Sequence, residues 1–157
     1  MLTLSLIVVV TLLDQVTKEL IRNSFSLYEQ LEVIPGFFQI TYIRNTGAAW
    51  GMLAGAGGLL TILSIVMIIV LVSFRRHIMY DSLLHKITFS LMISGIVGNL
   101  IDRVRHGYVV DFLDFFVGTH HFPAFNVADS AICIGVALYI YSQTSFCQKT
   151  KPEESAV

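Results

Sequence analysis

Charge is scarce in this chain. Only 13% of its residues are charged, with 10 Lys and Arg against 11 Asp and Glu, and 55% are hydrophobic. That balance, with a mean hydropathy of +0.73, excludes a disordered chain and argues against a soluble fold. The net charge is -1, so no basic surface offers itself to a nucleic acid and no nucleic-acid partner is expected. Cysteine is nearly absent too. Cys133 lies inside an apolar run and Cys147 near the polar tail, with no CxxC spacing. They read as small apolar side chains rather than a disulfide. The five histidines show no HExxH-like spacing, so neither a metal site nor a cofactor is expected. The 157 residues suffice for one domain, 1–157.

What the chain has instead is long apolar runs. Residues 2–22 form the first expected span. Leu2 to Leu13 alone would pass for a signal-peptide core, but no Lys or Arg precedes it and no small-x-small site follows. Continued through Asp14-Gln15-Val16-Thr17-Lys18, the run reaches the length that crosses a bilayer. Asp14 and Lys18 are four apart, acid first, so they face one side and can pair. The pair either anchors the helix end or helps shape a polar site. Residues 58–74 form a second, uncharged span closed by Arg75-Arg76-His77. Residues 87–102 form a third, with Ser90, Ser94 and Gly98 at the spacing that lets helices approach closely in lipid. Residues 126–146 form the fourth, and the tail from Gln148 is polar. The expected fold is therefore a mainly α membrane protein with four transmembrane helices.

Residues 23–57 break the pattern. Val33-Ile34-Pro35-Gly36 reads as strand and turn, and Phe37 to Ile43 as a strand of period two. Phe37, Phe38, Tyr42 and Trp50 suit a water–lipid interface. The expectation is a small β-sheet lying on the membrane, then a short amphipathic helix near Ala48 to Leu53. Glycines at 47, 51, 55, 57 and 58 would let residues 44–58 move as a lid. Residues 104–123 read as a second loop on the same side.

Four spans put both termini on one side. Arg75, Arg76, Lys86, Lys149 and Lys151 on that side balance Lys18, Arg22, Arg44, Arg103 and Arg105 on the other, so the positive-inside rule ties. The short 75–86 loop is denser in positive charge, which favours cytoplasmic termini and an extracytoplasmic 23–57. The acids do not tie. Asp14, Glu19, Glu29, Glu32, Asp102, Asp111, Asp114 and Asp129, eight of the 11, fall on the side opposite the termini.

That concentration marks where chemistry is expected. Asn99 and Asp102 are three apart at the end of the third span, and Asn126 and Asp129 repeat the spacing at the start of the fourth. Asp102 and its neighbour Arg103 read as a structural ion pair. Asp111 and Asp129 are expected to meet at the mouth of the bundle. Two carboxylates held close cannot both ionise cheaply, so they share a proton near neutral pH. One then activates a water while the other polarises a carbonyl, which is amide hydrolysis without metal or covalent intermediate. Asn45, Asn99 and Asn126 would orient the acids or bind an extended backbone. Asp114, placed one helical turn from Asp111, is expected to be dispensable. A proton-coupled transporter would carry its acids nearer midplane, and an assembly factor would not need paired Asp-Asn blocks.

Five blocks, in order, resemble those of lipoprotein signal peptidases, also called signal peptidase II. They are Asp14-Gln15-x-Thr17-Lys18, Arg44-Asn45-Thr46-Gly47-Ala48-Ala49-Trp50-Gly51, Gly98-Asn99-Leu100-Ile101-Asp102-Arg103, Val109-Val110-Asp111-Phe112 and Phe125-Asn126-Val127-Ala128-Asp129-Ser130. The resemblance implies a four-helix bacterial inner-membrane aspartic endopeptidase with cytoplasmic termini and a site opening at the outer leaflet. It implies cleavage of prolipoproteins just before a diacylglyceryl-modified cysteine, membrane lipids as surroundings, and inhibition by globomycin. Carried over, Asp111 and Asp129 are the catalytic pair. Asp14, Lys18, Asn45, Gly47, Asn99, Asp102, Arg103, Asn126 and Ala128 are substrate-binding or supporting residues. The sheet would cradle the substrate.

Overall fold

The computed structural model describes residues 1–47, 55–78 and 82–149. Its elements run α1 (Leu2–Ser24), β1 (Gln30–Ile34), β2 (Phe38–Asn45), α2 (Gly57–Ile78), α3 (Leu83–His106), β3 (Val109–Val117), β4 (His120–His121) and α4 (Val127–Lys149). The expected amphipathic helix near Ala48 to Leu53, Trp50 and residues 48–54 of the expected lid lie outside the described residues.

Helix α3 is the centre of the bundle and touches α1, α2 and α4. Its ends are specified locally. The Ser82 hydroxyl accepts the His85 N–H at 3.3 Å, capping the start. Gly107 closes it in the left-handed region at φ 76°, and Arg103, Arg105 and His106 sit in the last turn, where the helix dipole favours cations. Small residues on α3 set the packing distances. A Cβ at Gly95 would lie 2.3 Å from the Ala128 carbonyl of α4, and one at Gly98 would lie 2.5 Å from the Asp14 carboxylate of α1. Ser90 reaches α1 with a 3.2 Å bond from its hydroxyl to the Thr3 carbonyl. The small-residue spacing in the third span thus does the packing expected of it, and Gly98 also brings in a carboxylate.

Among the described residues, two helices meet the length and hydropathy required to cross a membrane: Gly57–Arg75, with mean hydropathy 2.6, and Leu83–His106, with 1.4. Helix α2 is the outermost. It carries apolar side chains on its exposed faces, among them Leu59, Ile62, Val66, Ile69 and Val72, and its Leu71 joins Phe89 and Ile93 in a core cluster inside the bundle. An apolar helix with apolar groups facing outward suits lipid.

The sheet is larger than the sequence pattern suggested. Its four antiparallel strands lie in the order β1-β2-β3-β4. The expected strand over 37–43 is β2, extended to Asn45, and Pro35-Gly36 forms the turn from β1, with Gly36 at φ 73°. Residues 104–123 are not a loop: Val109–Val117 is a nine-residue strand paired with β2 from Phe38↔Phe115 to Asn45↔Val109. A β-bulge in β2 between Ile40 and Ile43 shifts that register. One face of the sheet closes over the end of α1, where Ile21, Tyr42, Val110 and Phe112 form the second core cluster. Strand β3 is covered from 109 to 112 without interruption. That explains why its run lacks the alternation of a half-buried strand.

Candidate active site

The chain crosses three times at one end of the bundle: at the end of α3, along β3, and at the start of α4. Asn126 and Asp129 fix the start of α4. The Asn126 Oδ1 accepts the Asp129 N–H at 3.0 Å, and the Asp129 Oδ2 accepts the Asn126 N–H at 3.2 Å. This reciprocal capping box is the structural meaning of the Asn-x-x-Asp spacing. The next free amide, Ala128 N–H, donates to Asp14 Oδ1 at 2.8 Å. Thus a carboxylate from the middle of α1 satisfies an orphan donor of α4.

Asp14 and Lys18 are 0% and 1% exposed, so their pair is no surface anchor. Lys18 Nζ lies 2.9 Å from Asp14 Oδ2, 3.5 Å from Asp102 Oδ2 and 3.0 Å from Asn99 Oδ1. A buried ammonium needs such a set of partners to offset its desolvation. The pair expected between Asp102 and Arg103 is replaced by this one. Arg103 turns to a cavity, while Asp102 turns inward and accepts the Val110 N–H at 3.0 Å. Asp102 thereby ties the end of α3 to the residue next to Asp111. Gln15, which the sequence reading did not single out, bridges Asp14, the Gly98 carbonyl and Asp102 from one Nε2 atom. Its place beside Asp14, within the first of the five blocks, is the signal that marks it.

The two expected catalytic acids join this network from its outer side. Asp111 Oδ1 accepts from Asn126 Nδ2 and Asp111 Oδ2 from Asn45 Nδ2, both at 2.8 Å. Asn45 is itself locked, because its Oδ1 accepts the Gly47 N–H at 2.9 Å. Asp129 Oδ1 accepts from Asn99 Nδ2 at 2.7 Å, and Asn99 Oδ1 takes bonds from Lys18 and Asn126. The three asparagines therefore hold both carboxylates from behind. Asp111 is nearly fully buried. Burial pushes its carboxyl up from 3.8 to about 7, with the Asp129 charge adding to the rise and the Asn45 and Asn126 bonds opposing it.

Both acids line one cavity of about 520 Å³, together with Asn45, Gly47, Asn99 and Arg103. Its other walls were not foreseen. They come from Val109, from Phe122-Pro123-Ala124-Phe125 between β4 and α4, and from Ser130, Ile132 and Cys133 on α4. Cys133, one turn beyond Asp129, is exposed there rather than buried in the bundle; the i, i+4 spacing could have indicated this. Asp14, Lys18, Asp102 and Ala128 lie behind the cavity and act on it through the network. Asp114 lies elsewhere: three residues along a strand, not a helix, it faces away from Asp111. Among the described residues, no three His, Cys, Asp or Glu side chains converge as metal ligands. Chemically, the arrangement offers two carboxylates, one titrating near neutrality, beside a half-buried cation in a largely apolar chamber.

Comparison with known proteins places this geometry. The family model described as signal peptidase (SPase) II matches residues 6–145. A lipoprotein signal peptidase of Geobacter metallireducens is 48% identical over 130 residues, covering 80% of each chain. One from Shewanella halifaxensis is 45% identical over 138 residues, covering 85% of this chain and 81% of that protein. A bacterial membrane enzyme structure obtained by the in meso method at 2.3 Å superposes with a TM-score of 0.86 at 39% identity, over 98% of this chain and 94% of that one. A second such structure, at 1.9 Å, gives 0.78 at 41% identity, over 90% and 91%. A family match across most of the chain, with that level of identity and the same fold, means that this chain belongs to the signal peptidase II family of proteases.

Proposed function

We propose that this protein is an aspartic endopeptidase that removes the signal peptide from prolipoproteins, with Asp111 and Asp129 as its catalytic pair. The observation that carries this reading is the shared cavity: two acids on different elements line one chamber, each held by asparagine amides. A carboxyl that titrates near 7, as Asp111 does, can hold and release a proton at neutral pH. In the reaction, the carboxylate of the pair takes a proton from a water whose oxygen attacks the scissile carbonyl carbon. The protonated partner gives its proton to the carbonyl oxygen. Collapse of the tetrahedral species breaks the C–N bond: the leaving nitrogen receives the proton first taken from water, and a hydroxyl of the diol returns a proton to the partner that gave its own, restoring the pair. The products are a new carboxyl end on the signal peptide and a free amine on the cysteine. Lys18, Asp14, Asp102 and Gln15 keep Asn99, the start of α4 and β3 in place, while Asn45, Gly47 and Arg103 are positioned to meet the substrate.

The setting follows from the same reading. All four helices span the inner membrane as one domain, 1–157, with cytoplasmic termini and the sheet and cavity towards the outer face. The bond cut is the one before a diacylglyceryl-modified cysteine, so the apolar walls of the chamber border membrane lipid. Globomycin competes for the same chamber. The test is cleavage of a purified lipidated prolipoprotein in detergent by the wild-type chain, by Asp111→Asn and by Asp129→Asn. Cleavage that globomycin blocks, and that each substitution abolishes in folded protein, supports the reading. Near-normal cleavage by either variant refutes the pair.

A further inference from the structure

Asp114 is a buried carboxylate for which the chemistry above has no use. It is 5% exposed and lies on β3 opposite Gln39 of β2. Gln39 Nε2 donates to its Oδ2 at 2.6 Å, and His121 Nδ1 lies 3.0 Å from both of its oxygens. His121 belongs to β4, which is two residues long and exposed, and its ring stacks on Phe116 of β3 at 5.1 Å. A two-residue strand is a weak hold on its own. Directly after it come Phe122, Pro123, Ala124 and Phe125, which wall the catalytic cavity without belonging to a helix or strand of their own. Their far end is secured by Phe125, which exchanges backbone bonds with Leu113 at 2.8 and 3.0 Å and stacks on Phe115 at 5.9 Å. Their near end is held by the pairing of β4 with β3, by the Phe122 N–H bond to the Phe115 carbonyl at 2.8 Å, and by the His121 side chain on Asp114.

The geometry points to Asp114 as a positioning residue: through Gln39 and His121 it clamps the β3–β4 return to the sheet and so fixes the cavity wall against which substrate is held. A carboxylate that accepts from two sheet neighbours is stronger than a neutral bond at the same place. It acts from the face of β3 opposite Asp111, so it shapes the chamber without touching the reacting atoms. This assignment rests on the proposed function for its kinetic consequence, and on the cavity alone for its structural one.

The experiment uses the full chain in detergent and reads both consequences. Asp114→Ala and His121→Ala are expected to raise KM for a lipidated prolipoprotein about tenfold, the scale of one lost charge-assisted hydrogen bond, with kcat little changed. His121→Asn, which can still donate to Asp114, is expected to restore KM. Adding His121→Ala to Asp114→Ala should cost little more, since both remove one clamp. Independently of catalysis, alkylation of Cys133 in the same cavity by a small maleimide should change in rate by several-fold in both alanine variants and return to the wild-type rate in His121→Asn. His121 is half exposed, so its variants test the clamp even if Asp114→Ala fails to fold. Unchanged KM and unchanged Cys133 reactivity would overturn the assignment, as would a loss confined to kcat or to melting temperature. The Cys133 arm keeps this failure distinct from failure of the catalytic pair.

Discussion

At the scale of the residue, the two acids proposed as the catalytic pair, Asp111 and Asp129, are each held by amide donors. If they act as a pair, neither does the work of both. Asp111→Asn and Asp129→Asn should each lower turnover by several orders of magnitude, while the double substitution costs little more, because groups acting as a unit are non-additive. Turnover numbers from a lipidated substrate check this; additive losses would mean two independent roles. Burial also has a stability consequence whose sign is definite. The Asp111 carboxyl is raised from 3.8 to about 7 in the folded protein. Between those values the folded state binds more protons than the unfolded one, so stability falls as pH rises through that window. Asp111→Asn removes the titrating group. Its melting temperature relative to wild type should therefore rise between about pH 4 and about pH 8. The difference between the two pH values is the quantity to measure, since the amide also faces the Asn45 and Asn126 donors at a cost that does not depend on pH.

At the scale of the element, close approach of helices is what delivers polar groups to the site. Gly98 lets the Asp14 carboxylate lie against α3, and from there Asp14 holds the first turn of α4. Gly98→Ala would put a methyl 2.5 Å from Asp14 Oδ2 and 3.2 Å from the Ala128 Cβ. It should destabilise the fold by about 1–3 kcal/mol, as overpacking does, and lower kcat by displacing the start of α4. Denaturation in detergent and turnover measured together check this; a stable, fully active variant would show that α1 can shift freely. The four helices and β2 were legible in the sequence, because apolar length and strand alternation survive any tertiary context. Strand β3 was not. Its Val109–Phe112 stretch is covered throughout, so no alternation marks it, and the three-residue step from Asp111 to Asp114 looks like a helical turn. The partner of Asp102 is hidden from the sequence for a related reason. Adjacent residues on a helix point apart, so Arg103 could not share the environment of Asp102, whereas Lys18 on another helix could.

At the scale of the whole molecule, polarity is segregated along the bundle. The sheet, the cavity and the buried Asp14–Lys18–Asp102 cluster lie at one end, and the Ser82 cap that opens α3 lies at the other. The helices between are coated with exposed apolar side chains. Proposed cytoplasmic termini place the cavity end outside, although the count of positive charges does not separate the two ends. Two exposed positions read the orientation directly: Leu31 on β1, and Leu83 in the first turn of α3. In a background with Cys133→Ser and Cys147→Ser, Leu31→Cys should react with an impermeant maleimide added to whole cells. Leu83→Cys should react only after the membrane is opened. Both variants keep the buried network intact, so cleavage by each verifies that the labelled protein is the active one. The reverse labelling pattern would place the cavity in the cytoplasm, on the wrong side for a substrate already exported and lipidated.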